Sequence, residues 1–134
     1  MIVLPTASEL RLLEILWQLG EGTIDDIVHT SGENPAPNYK TIQTFLRIME
    51  GKKLVAHRIH GRAFVFRPLV RREQVNRLSI RQLLRRHFGG SRSELLVNML
   101  EAERIDIGEL EELEAMIRKY RKSRQLSNAR QGRK

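Results

Sequence analysis

A chain of 134 residues, 40% hydrophobic and 30% charged, has room for one or two small domains, and an aromatic content of only 5% points to an aliphatic, mainly helical core. The absence of cysteine excludes disulfides, thiolate metal sites, zinc fingers and thiol nucleophiles, and fits a reducing compartment. The formal charge of +8 is a property of the chain end: all 16 acids lie at or before Glu114 and 16 bases at or before Ile117, so the eight bases of residues 118–134 supply the whole surplus.

Thr6-Ala7-Ser8-Glu9 reads as a capping box, and Leu10, Leu13, Leu16 and Trp17 then recur at helical steps until Gly20. A second, short helix starts at Thr23, carries Asp25 and Asp26 in its first turn, buries Ile24, Ile27 and Val28, and stops at Ser31-Gly32. Residues 1–33 hold one base against six acids, a balance of −5. Pro35 and Pro37 then exclude both helix and central strand.

From Asn38, a good N-cap, a third helix is predicted with Ile42, Phe45, Leu46 and Met49 as its apolar stripe. Lys40, Gln43, Thr44 and Arg47 repeat the same spacing on another face. Such side chains suit groove reading: Arg and Lys match guanine O6 and N7, Gln matches adenine N6 and N7, and Thr hydrogen-bonds or meets the thymine methyl. Taken alone, such a helix is better read as an ordinary solvated face.

The following segment supplies the context. Leu54 to His60 and Ala63 to Arg67 are β-favouring runs joined by Gly61-Arg62, which reads as a hairpin with a cation at its tip. Residues 34–68 carry seven bases against the single Glu50, a balance of +6 held on folded elements, where cations keep a fixed geometry for phosphates. The fold class expected is mainly α with a small β-hairpin: a winged helix-turn-helix in residues 1–70, its third helix the recognition helix and its hairpin the wing.

Three more helical patterns follow. Arg71 to Phe88 carries Val75, Leu78, Ile80, Leu83, Leu84 and Phe88 among six arginines and ends at Gly89-Gly90. Ser91 with Glu94 caps a helix bearing Leu95, Leu96, Met99 and Leu100; Asp106 with Glu109 caps another bearing Leu110, Leu113, Ile117 and Tyr120. The last set alternates steps of three and four, like the seam of a coiled coil. Three amphipathic helices without a wide sheet make a poor core alone, so residues 71–122 are expected to form a helical dimerisation domain through Leu83, Leu84, Phe88, Leu96, Met99, Leu100, Leu110, Leu113 and Ile117, with an intramolecular helical hairpin as the alternative. Residues 123–134 are expected to be a basic, disordered tail.

These residues in this order resemble the penicillinase-repressor family of BlaI and MecI type, which also includes copper-responsive repressors. The resemblance rests on Leu4-Pro5-Thr6 before Glu9-Leu10 and Leu16-Trp17, on Lys40 to Thr44 with Leu46 and Arg47, on Gly61 to Val70, and on Phe88-Gly89-Gly90-Ser91. It implies a homodimeric repressor with N-terminal winged helices on a dyad-symmetric operator. Copper-responsive members carry a cysteine-based motif near the C-terminus, which this chain lacks. In β-lactam-responsive members the resemblance implies inactivation by a sensor protease at an Asn-Phe bond; Asn98-Met99 stands at that place, with Met for Phe.

The mechanism expected is steric repression. Lys40, Thr41, Gln43, Thr44 and Arg47 enter the major groove, Tyr39 sits by the backbone, and Lys52, Arg58 and Arg62 hold phosphates. No cofactor is expected, and no metal: His29, His57, His60 and His87 are scattered, and His57 and His60, three apart on a strand, should point to opposite faces. Short apolar runs such as Ile2 to Leu4 and an N-terminus without a cationic leader predict a cytoplasmic protein with no membrane contact. The absence of a Gly-rich phosphate loop or a metal-ligand cluster speaks against an enzyme. A DNA-binding activator or architectural protein, or a winged helix used for protein contacts, are the remaining alternatives.

Overall fold

The computed structural model describes residues 2–102 and 104–132. The chain divides into two compact units, Met1–His87 and Phe88–Lys134. The first contains α1 (Ala7–Leu19), α2 (Ile24–Ser31), α3 (Tyr39–Gly51), β1 (Val55–His60), β2 (Ala63–Pro68) and α4 (Arg72–His87); the second contains α5 (Arg92–Ala102) and α6 (Ile107–Gln131).

Local chemistry sets the ends of the first helices. The Thr6 hydroxyl accepts from the Glu9 amide while the Glu9 carboxylate accepts from the Thr6 amide at 2.9 Å, and Thr23 and Asp26 repeat the arrangement at the start of α2. Gly32 ends α2 in the left-handed region. Lys53 takes the same conformation after α3, with φ of 63°, so that the Leu54 amide can donate back to the Met49 carbonyl at 2.9 Å.

The core of the first unit is aliphatic. Leu13 and Leu16 of α1, Ile27 of α2, Leu46 and Met49 of α3, and Leu54 and Val55 at the start of the hairpin are all fully enclosed. Each such side chain contributes about 1.5–3 kcal/mol relative to exposure. α1 also buries Leu12 and Ile15, while Leu10 and Trp17 are half-buried against the core. The helix is thus covered on a wider arc than the single stripe the sequence displays.

β1 and β2 pair antiparallel from Val55 opposite Pro68 to His60 opposite Ala63. Gly22, between α1 and α2, adds a one-residue bridge to Phe66, exchanging both backbone hydrogen bonds at 2.9 and 2.8 Å. The wing is therefore tied to the helical layer by main chain as well as by side chains.

Two boundaries differ from those read in the sequence. The first unit runs to His87 rather than to residue 70, because Val70 and Val75 are buried in the same core and Trp17 Nε1 donates to the Val70 carbonyl at 2.9 Å. The Arg72 guanidinium also lies 4.8 Å above the Trp17 ring, a cation–π contact that fastens the start of α4 to α1. α6 continues to Gln131, through most of the segment expected as a disordered tail. That stretch has no Gly or Pro before Gly132, consists largely of residues that favour helix, and brings its cations to the negative end of the helix dipole.

Candidate nucleic-acid interface

Asn38 fixes the start of α3: its Oδ1 accepts from the Lys40 amide at 2.8 Å, just after the two prolines have ended the preceding loop. Ile42, Leu46 and Met49 are buried and Phe45 is half-buried, so the remaining arc must face outward. Tyr39, Lys40, Thr41, Gln43, Thr44 and Arg47 are all exposed on it.

The arc has an internal order. Tyr39, Gln43 and Arg47 line one cleft of about 560 Å³ together with Glu50, with Thr23 to Asp25 at the start of α2, and with His57, His60 and Arg62 to Phe64 of the wing. Thr41 lies on the opposite edge, lining a small pocket of about 140 Å³ beside Phe45 and Pro37. Thr44 donates its hydroxyl hydrogen to the Lys40 carbonyl at 2.9 Å, which leaves its methyl group and oxygen lone pairs for any outside partner.

Behind the arc, a polar and aromatic cluster sets the distance between α3 and the wing. His57 Nδ1 is 2.5 Å from Glu50 Oε1, and the His57 ring stacks on Phe64 with centroids 4.4 Å apart and planes inclined by 19°. Phe66 closes the cluster, 5.6 Å from His57. Strand alternation would send His57 and His60 to opposite faces, yet both border the cleft. His60 is the last residue of β1, next to the Gly61 turn. Among the described residues no group of three or more His, Asp or Glu is placed to hold a metal ion.

The three cations assigned to phosphates differ in availability. Arg62 is exposed beside Gly61, whose φ of 64° makes the tip of the wing. Arg58 is exposed and donates to Glu21 at 2.8 Å; that hydrogen bond and the attraction between the charges hold the Glu21 carboxyl below its ordinary range and raise the guanidinium. An exposed pair of this kind is easily exchanged for another anion. Lys52 is committed: its ammonium donates to both carboxylate oxygens of Glu9, at 2.9 and 3.0 Å, and the Glu9 side chain is only 2% exposed. Withdrawing Lys52 would strand a buried carboxylate, so its geometry is that of an internal clamp.

Sequence reasoning missed Glu9, Glu21, Glu50 and His57 as supports of this face. Their partners lie 43, 37 and 7 residues away, and no local pattern announces such pairs.

The residues expected to join two chains are accessible in the described structure. Leu83 of α4 is 40% exposed, Leu84 and Phe88 are half-buried, and Leu96, Met99 and Leu100 of α5 are exposed. On α6 Leu110 and Leu113 are half-buried and Ile117 is exposed; neither α5 nor α6 contains a buried residue. Asn98 and Met99 stand exposed in the middle of α5, and Asn98 Nδ2 donates to the Glu94 carbonyl at 2.8 Å. Among the described residues, no helix is long and apolar enough to cross a membrane.

The solution structure of the DNA-binding domain of the repressor BlaI aligns at 24% identity with a TM-score of 0.46, covering 54% of this chain and 90% of that one. A CopR repressor structure aligns at 28% identity with a TM-score of 0.42, covering 50% and 97%. The penicillinase repressor of Bacillus licheniformis is 22% identical over 114 residues, which is 85% of this chain and 89% of the relative. The penicillinase repressor family model matches residues 5–119, a span that takes in the winged helix, α5 and the first half of α6, and the chain belongs to that family.

Proposed function

We propose that this protein is a homodimeric repressor that reads a dyad-symmetric DNA operator with α3, holds the adjoining backbone with its wing, and blocks transcription sterically in the cytoplasm. Membership of the penicillinase repressor family makes it a DNA-binding transcriptional repressor. The finer reading is carried by one observation. Tyr39, Gln43 and Arg47 of a helix exposed on one side converge with Arg62 of the wing on a single open cleft.

In this reading Lys40, Gln43, Thr44 and Arg47 meet base edges, Thr44 chiefly through its methyl group, while Thr41 flanks the contact and Tyr39 lies against the backbone. Arg62 binds a phosphate directly and Arg58 does so by exchanging Glu21 for it. Residues 1–70 read DNA and residues 71–122 join the chains. The accessible apolar side chains of α4, α5 and α6 support the second assignment.

Selection of bound sequences from a random duplex pool tests the proposal. A palindromic consensus is expected, and Arg47→Ala should cost about 1–3 kcal/mol at one position of each half-site, because a bidentate base contact is lost. An equal loss on every sequence would make Arg47 a backbone contact, and the lack of any sequence preference would defeat the reading of α3.

Relief of repression is proposed to occur by a sensor protease cutting between Asn98 and Met99. Both residues are exposed on a helix that buries nothing. Mass spectrometry after incubation with the cognate protease should show fragments ending at residue 98, and an intact chain under conditions that relieve repression would exclude this route.

A further inference from the structure

One face of the wing stays apolar beyond the point where the core ends. Strand pairing sets Val55 opposite Pro68, His57 opposite Phe66 and Ile59 opposite Phe64, so these six side chains share one face of the ribbon. Val55 and Phe66 are buried, and the His57 ring stacks on Phe64. Toward the turn, Phe64 is 47% exposed and Ile59 67% exposed. A strand that leaves its core as a plain solvated arm would carry polar side chains there. The other face does so: Arg58, His60 and Arg67 are exposed on it around the buried Val65.

The exposed pair lies on the side from which DNA is read. Phe64 lines the cleft together with Gln43 and Arg47 of α3 and with Arg62, and Ile59, its cross-strand partner, projects from the same face. We propose that Ile59 and Phe64 form an apolar contact inside the minor groove beside the segment read by α3, and that this contact selects against guanine there. It rests on the DNA-reading assignment of α3 and the wing above and adds a second specificity determinant to it. The chemistry of the groove fits the pair. Its walls are deoxyribose and its rims phosphate, which suit an apolar centre flanked by the cations Arg58 and Arg62. Its floor presents only acceptors at an A·T pair, whereas a G·C pair adds the guanine N2 amino group. Two hydrocarbon side chains leave that donor desolvated and unpaired, and the amino group occupies space they would fill.

Inosine separates the two grooves. An I·C pair lacks the N2 amino group, so it presents the minor groove of A·T and the major groove of G·C. The probe is the consensus duplex selected by the full chain, with each base pair flanking the α3 contact made in turn A·T, G·C or I·C. At one flanking position of each half-site the unmodified protein should bind the A·T and I·C duplexes alike and the G·C duplex about five- to ten-fold more weakly. Ile59→Thr keeps a β-branched residue at an exposed strand position and so preserves the wing. It should bind the A·T duplex about five-fold more weakly and lose most of the preference against G·C. The salt slope should not change, since no phosphate contact is removed. Ile59→Val should retain both the affinity and the preference.

Equal weakening by G·C and I·C would mean that the flanking pair is read from the major groove, and indifference to all three pairs at every flanking position would mean that it is not read. Unchanged binding by Ile59→Thr would leave the apolar pair to a protein partner, and a loss that is the same on all three duplexes would reduce it to general support of the wing. Each of these results overturns the proposal while the selected consensus, and with it the reading of α3, stands. The lack of any consensus would remove the reading of α3 itself, and the minor-groove contact with it.

Discussion

Lys52 shows how one side chain changes meaning once its surroundings are known. As a cation following a DNA-reading helix it is a natural phosphate ligand; in the fold it neutralises Glu9, 43 residues earlier, through two hydrogen bonds. Burial alone would raise the Glu9 carboxyl, but the Thr6 amide and the Lys52 ammonium outweigh it and hold the group below the ordinary value of 4.5. A depressed carboxyl contributes stability that is present above the unfolded value and lost as pH falls through the folded one. Lys52→Met should therefore destabilise the fold by about 1–3 kcal/mol at pH 7, less than for a fully buried pair because the lysine is partly exposed, and the difference from the unmodified protein should shrink as pH falls and Glu9 is protonated. Urea titrations at pH 7 and pH 4 measure both effects. If Lys52 is an internal clamp, the folded variant keeps the salt dependence of DNA binding; a slope reduced by about one per chain would return Lys52 to the phosphates.

At the level of elements, what was legible followed from local chemistry. The capping boxes at Thr6 and Thr23, the Asn38 cap, the stripe of Ile42, Leu46 and Met49, and the Gly61 turn between two β-favouring runs each leave a mark within a few residues, and helices and hairpin stand where those marks place them. What was not legible depends on contacts distant in sequence. Gly22 pairs with Phe66 through a single residue, too short for any alternation to show, although it has a steric requirement: a Cβ there would meet Leu19 Cδ1 at 3.1 Å and Asp26 Cβ at 3.2 Å. The attachment of α4 to the first unit likewise depends on Trp17 reaching Val70 across 53 residues. The outward arc of α3 was readable as a set of side chains, whereas its division into a wing-facing row and a Thr41 edge needed the position of the wing. The extent of α6 differs from the sequence expectation for another reason: a run of cations resembles a solvated tail in composition, yet Arg, Lys, Gln and Leu are good helix formers and their charge suits a helix C-terminus.

For the whole molecule, the location of the charge matters more than its total of +8. The recognition helix and wing lie in a segment of +6, fixed by the fold, whereas the eight bases of residues 118–134 belong mostly to α6. If those bases chiefly align a second chain, their removal should act on DNA binding through dimerisation. Two half-sites held by one dimer gain from effective concentration, so an operator is bound far more tightly than a half-site, and loss of the dimer removes that gain without touching any base contact. Deleting residues 121–134 takes away Arg121, Lys122 and Arg124 of the cationic half of α6. The truncated protein should select the same half-site sequence and show a weaker dimer by sedimentation. Its affinity for the full operator should fall toward that for a single half-site. A tail acting as a nonspecific phosphate grip would behave differently: the dimer would persist, affinity would fall equally on all duplexes, and the salt slope would drop by the number of contacts removed. Loss of sequence preference itself would place DNA recognition in the tail, against the outward face of α3.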